Sequence, residues 1–299
     1  MEHQTIDRKS QAAVLMQETA CADASSAAVT SAAQAKLLFD SHAHINEERF
    51  ADKRASLCEA IQASNLAYVM DIGFDLNSSR QALSDAQAWD FCYAAVGVHP
   101  HDAEGMDESA LKELRALAKH PKVKAIGEIG LDYHYDNSPR ELQQHWFRRQ
   151  LQLAIELAMP IVIHAREADD DVLRILKEEG VFHAQRTKQF PPQPDGTPDA
   201  RLLLHCFSGS RELARQYTAL GATISIAGPV TYKNARRTVE VAQSIELSKL
   251  LVETDAPYLA PEPVRGRTNL PQHVEHTARK IAELRGISFE EVARATMEN

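Results

Sequence analysis

The chain has 299 residues, of which 44% are hydrophobic, with 33 Lys and Arg against 42 Asp and Glu and a formal net charge of −9. That is enough apolar material for one large domain, and the acidic balance excludes a globally basic nucleic-acid binder, leaving bound cations and a local basic rim as the only attraction for a polyanion. No run approaches the roughly 18 to 20 apolar residues of a membrane span, no targeting pattern stands at the start, and Cys21, Cys58, Cys92 and Cys206 lack metal or CxxC spacing, so a cytoplasmic protein with free thiols is expected.

Residues 1–36 contain the Ala/Ser-rich run ADASSAAVTSAAQA without regularly spaced bulky apolar residues, which predicts a mobile extension. From Leu37 onward, short β-type runs alternate with helical text. The runs are LLFDSH (37–42), AYVMDIG (67–73), CYAAVGVH (92–99), VKAIGEIG (123–130), IVIHA (161–165), LLLHCF (202–207), ATISIAG (222–228) and LLVETDA (250–256). Near-continuous apolar runs are expected of strands buried on both faces of a parallel sheet. Between the fourth and fifth runs, Ser138, Pro139 and Glu141 predict a capped helix start, and Phe147, Leu151, Ala154, Ile155 and Ala158 an apolar stripe. Residues 183–200 read as a Pro-rich surface loop, and Ser288 with Glu291 opens a last helix. Eight strands with helical connections predict an α/β fold, a (β/α)8 TIM barrel over residues 37–299.

Polar residues interrupt these runs at their C-terminal ends: His42 and His44 after the first, then His99, Glu128, His164, His205 and Asp255. In such a barrel those ends converge on one mouth, where active sites sit. Residues two apart in an extended chain share a face, so His42 and His44 are expected to project together. The four imidazoles of His42, His44, His164 and His205 with the two carboxylates exceed the three protein ligands of a mononuclear catalytic zinc, which predicts two divalent metals. His42 and His44 are expected to hold one ion, His164 and His205 the other, and Glu128 to bridge them. Asp255 is expected to complete the first site and take a proton from the activated water.

The segments FDSHAH, GVHPH, GEIGLDY, IVIHAREA, LLHCFSG, GPVTYKNA, LVETDAPYLAP and RGRTN, from about residue 37 to the end, resemble the TatD family of metal-dependent deoxyribonucleases in the amidohydrolase superfamily. The resemblance implies a barrel with metal ligands at His42, His44, Glu128, His164, His205 and Asp255, and cleavage of DNA phosphodiester bonds from a 3′ end. Zinc, manganese, magnesium or a similar ion would serve. His99, His101, Lys233, Arg265 and Arg267 are then candidates to hold phosphate, and Tyr133, Phe207, Tyr232 and Tyr258 to stack on single-stranded bases. Three positions depart from the family pattern: Ile129 replaces a common Cys, Leu270 and Pro271 follow Asn269 where Glu-Pro is usual, and members usually continue another helical turn past the position of Asn299, so the chain is expected to be a fragment or truncated. The alternatives are a metal-dependent ester or amide hydrolase, such as an aminoacyl-tRNA deacylase, and a non-catalytic binding scaffold.

Overall fold

Each of the eight apolar runs forms a strand. The structure, a computed structural model, describes residues 36–299; all but Lys36 of the extension expected over 1–36, and with it Cys21, lies outside the described residues. In chain order the strands and helices are β1 (Leu38–Ala43), α1 (Arg54–Ala63), β2 (Leu66–Ile72), α2 (Leu76–Ala88), β3 (Cys92–Val96), α3 (Glu108–Leu117), β4 (Val123–Asp132), α4 (Arg140–Glu156), β5 (Ile161–Arg166), α5 (Asp169–Glu178), α6 (Ala184–Thr187), β6 (Leu202–Leu204), α7 (Arg211–Ala219), β7 (Thr223–Ile226), α8 (Arg236–Ser244), β8 (Leu250–Val252), α9 (Val274–Arg285) and α10 (Phe289–Glu298). Six-residue 3-10 segments at Glu48–Lys53 and Pro100–Gly105 follow β1 and β3.

All neighbours in the sheet are parallel and run in sequence order from β1 to β8. A bridge between Ala43 and Ala256 returns the last strand to the first. At this seam the His44 amide donates to Ala256 O (2.7 Å) and the Asp255 amide to His42 O (2.9 Å). Asp40 adds a side-chain tie, accepting from the Thr254 amide and hydroxyl at 2.9 and 2.5 Å. The fold is a (β/α)8 barrel.

Strand alternation divides the apolar residues into two sets. Ala94, Val96, Ile126, Ile161 and Ile163 join the main core with residues of the outer helices, whereas Ile72, Ala95, Ala125 and Val162 form a separate cluster with Met70 and Leu203. The second set fills the barrel's inside, where alanines suit the narrow bore. Burying each Val, Leu or Ile contributes about 1.5 to 3 kcal/mol. Ile129 is fully buried in the main core, as expected of a packing residue.

Two local expectations are corrected. Ser138 does not cap α4; Pro139 occupies the N-cap position without a side-chain bond. The Ser138 hydroxyl instead donates to His101 O (2.8 Å) and accepts from the Glu104 amide (3.0 Å), which fixes the turn after β3. Residues 183–200 are more than a surface loop: they contain α6, and its buried Arg186 donates to Val181 O, Ala200 O and Met159 O. Those carbonyls need partners, and the guanidinium fork supplies them. At the last helix, the Ser288 hydroxyl accepts from the Glu291 amide at 3.1 Å, as expected.

Candidate metal centre

Simple alternation does not aim the polar residues into the mouth. The β1–β2 register slips between Asp40 and Ala43, around His42, and the β4–β5 register slips between Ile126 and Ile129, around Glu128. Irregularities of this kind re-aim a side chain without ending the strand. They place His42 and Glu128, both buried, at the top of the bore.

The fold brings together all six residues expected to hold metal. His42 Nε2 and His44 Nε2 lie 3.3 Å apart, as do His164 Nδ1 and His205 Nε2. Glu128 stands between the pairs. Its Oε2 is 3.4 Å from His42 Nε2 and 3.8 Å from His44 Nε2, while its Oε1 is 2.8 Å from His164 Nδ1 and 2.7 Å from His205 Nε2. Asp255 Oδ1 faces the first pair, 3.4 Å from His44 Nε2 and 3.7 Å from His42 Nε2. Ligand atoms lie within 4.8 Å of one another in three groups: His42, His44 and Asp255; His42, Glu128 and His205; and His99, Glu128 and His164.

The donor set fits a divalent cation. Two nitrogens held about 2.1 Å from one tetrahedral ion stand about 3.4 Å apart, close to both observed pairs. Two outer nitrogens have acceptors, His44 Nδ1 2.8 Å from Ile72 O and His164 Nε2 3.2 Å from Asp132 Oδ2, while His205 Nδ1 faces Glu253 Oε1 at 3.5 Å without a hydrogen bond and His42 Nδ1 has no partner among the described residues. A carbonyl or carboxylate there holds the ring proton outward, so in a neutral ring the inner nitrogen presents a lone pair to the centre. Without a cation those lone pairs would face carboxylate oxygens.

Protonation is the alternative way to neutralise this density. Burial opposes charge on His44, but the Asp255 hydrogen bond and charge, with Glu128, outweigh it and lift the imidazole to about 9. Burial likewise opposes, and Glu128 reverses, the outcome at His205, whose pKa is raised well above the ordinary range. His164 is also raised, against burial, by Asp132 and Glu128. Burial would raise Glu128, yet the charges of His205 and His99 hold it well below the usual carboxylate range, and Asp255 is lowered against burial chiefly by His44. The carboxylates therefore stay ionised, and the same histidines accept either protons or a cation.

The candidate phosphate and base contacts divide. His99, buried, lies 3.6 Å from Glu128 Oε1 and belongs to a ligand-type group, and His101 Nε2 lies 2.9 Å from Asp132 Oδ2. Lys233, Arg265 and Arg267 are exposed, with Arg265 paired to Glu262 at 2.9 Å. Tyr133 donates its hydroxyl to Asp171 (2.8 Å) and Tyr232 to Ala260 O (3.0 Å). Phe207 is buried against Tyr217, so its face is closed to a base; this corrects the expected stacking role. Tyr258 is 41% exposed and its ring centroid lies 6.1 Å from that of His44. Asn269, fully buried, donates to Thr254 O and Tyr258 O at 2.9 and 2.7 Å and so anchors the loop after β8. A cavity of about 600 Å³ opens beside His101, but Asp75, Asp102 and Glu104 border it and disfavour phosphate.

Asp132 and Glu253 went unassigned in the sequence. Asp132 lies four residues beyond Glu128 on β4, fully buried, and its Oδ1 accepts from the amides of His134 and Tyr135, both at 2.9 Å. Glu253, also fully buried, accepts from the Cys206 amide at 2.7 Å. A carboxylate at the end of an apolar strand beside a known polar position is the signal that could have found both.

A family model for TatD related DNase matches residues 39–299. The chain belongs to the TatD family. It is a metal-dependent hydrolase acting on ester bonds. Among its relatives, the metal-dependent hydrolase YabD of Bacillus subtilis is 42% identical over 263 residues, covering 88% of this chain and 97% of its own. A protein named 3′-5′ ssDNA/RNA exonuclease TatD from Cronobacter sakazakii is 33% identical over 256 residues, covering 83% and 90%. The crystal structure of the TatD homologue YJJV from Escherichia coli superposes on this TatD-family barrel with a TM-score of 0.77 at 26% identity, covering 88% of this chain and 96% of its own. Among the described residues, no helix is long and apolar enough to cross a membrane.

Proposed function

We propose that the chain cleaves phosphodiester bonds of single-stranded DNA, removing nucleotides from the 3′ end, with two divalent ions held by His42, His44, Glu128, His164, His205 and Asp255. The observation that carries this proposal is Glu128: one carboxylate oxygen faces the His42–His44 pair and the other faces His164 and His205. That is the arrangement of a bridging ligand between two cation positions. The relatives named as 3′-5′ ssDNA/RNA exonucleases support the substrate class. Imidazole-rich ligation supports zinc, manganese or a similar ion, and magnesium serves if it is supplied in excess.

Bound there, the cations supply hydroxide at neutral pH by lowering the pKa of water and neutralise charge growing on the phosphoryl oxygens. Asp255 is the proton acceptor. Its carboxylate is held ionised beside His44, and at 13% side-chain exposure it is the most open of the Glu128–Asp255–His42–His44 set. The water's oxygen joins phosphorus, its proton passes to Asp255, the ester P–O bond opposite it breaks, and the departing sugar oxygen takes a proton back from Asp255. Glu128 cannot take the same role while both of its oxygens are engaged.

The test is cleavage of labelled single-stranded DNA and RNA by purified protein across several divalent metals, beside Asp255→Asn. Metal-dependent shortening from the 3′ end is expected, with kcat at least about 100-fold lower in the variant, the range for loss of a general base. A wild type that releases no nucleotide with any metal, or a variant that cleaves equally well, refutes the proposal.

A further inference from the structure

Four arginines of the described residues lie over tyrosine rings around the mouth, and they are of two kinds. Arg140 over Tyr133 and Arg265 over Tyr232, at 4.3 and 4.2 Å, are neutralised by Asp136 and Glu262. Arg49 over Tyr258 at 5.5 Å and Arg166 over Tyr135 at 4.7 Å are different. Among the described residues neither of these guanidiniums enters an ion pair, and their tyrosines are 41% and 55% exposed. Leaving large aromatic faces in water has no folding benefit.

The two unneutralised pairs occupy opposite sides of the barrel. Arg49 and Tyr258 follow β1 and β8, at the closing seam, whereas Tyr135 and Arg166 belong to the ends of β4 and β5. With eight strands in sequence order, those seams are four strands apart in either direction. Each pair also touches the centre through its histidines. Tyr258 meets His44 edge-on at 6.1 Å, and Tyr135 meets His101 at 5.4 Å, whose ring in turn lies 6.3 Å from that of His164. Arginine, aromatic and histidine therefore line one diameter of the mouth in mirrored order.

We propose that this diameter is the path of a single strand, with bases on the two sides of the scissile phosphate stacking on Tyr258 and Tyr135, and Arg49 and Arg166 holding the flanking phosphates. The inference rests on the proposed nucleic-acid substrate. Stacking on an exposed ring tolerates any base, and a guanidinium over the ring holds the backbone beside it. A duplex, whose bases are already stacked on one another, gains nothing from either ring. The path also places the local basic rim that an acidic protein needs directly beside the centre.

The test measures affinity of the metal-loaded protein for a fluorescein-labelled, cleavage-resistant single strand, by anisotropy. Tyr258→Ala and Tyr135→Ala are each expected to weaken binding about tenfold, within the range for one lost stacked base, and Tyr258→Phe and Tyr135→Phe to restore it. In cleavage assays the alanine variants raise KM by a similar factor and lower kcat by less. Arg49→Gln and Arg166→Gln each flatten the slope of log affinity against log salt by about 0.7, as loss of one phosphate contact on a single strand requires; Arg140→Gln does not. Alanine variants that bind like the parent, phenylalanine variants that fail to rescue, or an unchanged salt slope overturn the path while leaving the nuclease proposal standing. A parent that hydrolyses a small phosphodiester but neither binds nor cuts the strand overturns both.

Discussion

Asp132 does two things to His164 at once. Its Oδ2 fixes the ring's outer nitrogen at 3.2 Å, and its Oδ1 is itself fixed by two turn amides, so the imidazole is aimed by a carboxylate that cannot rotate away. Partners of this kind commonly tune metal affinity by 10- to 100-fold. Asp132→Asn keeps the shape but lets an amide compete for the ring nitrogen. Chelator competition should show the cation bound about tenfold more weakly at one of the two proposed positions, with activity recovered at higher metal. Equal affinity in variant and parent would show that His164 orients without help. The six proposed ligands were legible because a charged or imidazole side chain at the end of an apolar run is conspicuous. Asp132 was passed over, because Ile129, Gly130 and Leu131 separate it from Glu128 and it stands where an ordinary turn would begin, although a carboxylate ending an apolar strand was the signal to follow. Arg49, Tyr135 and Arg166 were illegible for another reason: an exposed Arg or Tyr in loop text gains meaning only when its neighbour across the fold is known.

At the level of elements, β4 and β5 are held to a close approach. Gly130 pairs with His164 and has φ +151°, a conformation essentially restricted to glycine, and a Cβ there would stand 1.9 Å from His164 O. Gly130→Ala must therefore part the two strands that hold Glu128 and His164. A loss of stability on the order of 3 kcal/mol is expected from the strain and overpacking together, read as a lower urea midpoint, with activity falling further than the folded fraction does. A variant of parental midpoint would mean the backbone there gives freely. Strand order and approximate bounds could be read from the apolar runs because a parallel barrel buries both strand faces. The helix start at Ser138 could not, because the same hydroxyl serves a cap or a distant carbonyl equally well, and only the fold supplies His101 O. The slips at His42 and Glu128 were hidden too, since register depends on the neighbouring strand.

For the whole molecule, the proposed metal centre couples proton uptake, cation binding and stability. A histidine whose pKa rises on folding stabilises the native state fully below its unfolded value, and that contribution disappears as pH climbs through the folded value. For His44 the window runs from 6.5 to about 9. Without metal, the melting temperature should fall across it. With a divalent cation bound, protons compete for the same nitrogens, so the increment in melting temperature conferred by the cation should grow over the same range. Calorimetry with chelator and with cation, at both ends of the window, checks the two slopes. A chelated protein that melts higher at the alkaline end, or a cation increment that shrinks there, contradicts the assignment.

The seam between Ala43 and Ala256 has one more consequence. His42 and His44 stand at the start of the barrel and Asp255 near its finish, and they meet only when β8 has closed on β1. Contacts so distant in sequence are late and slow to form. During synthesis, a chain whose last strand is still inside the ribosome has five of the six proposed ligands and most of the barrel, yet lacks the proposed proton acceptor. The proposed cleavage is thereby withheld from every unfinished copy, with no inhibitor required.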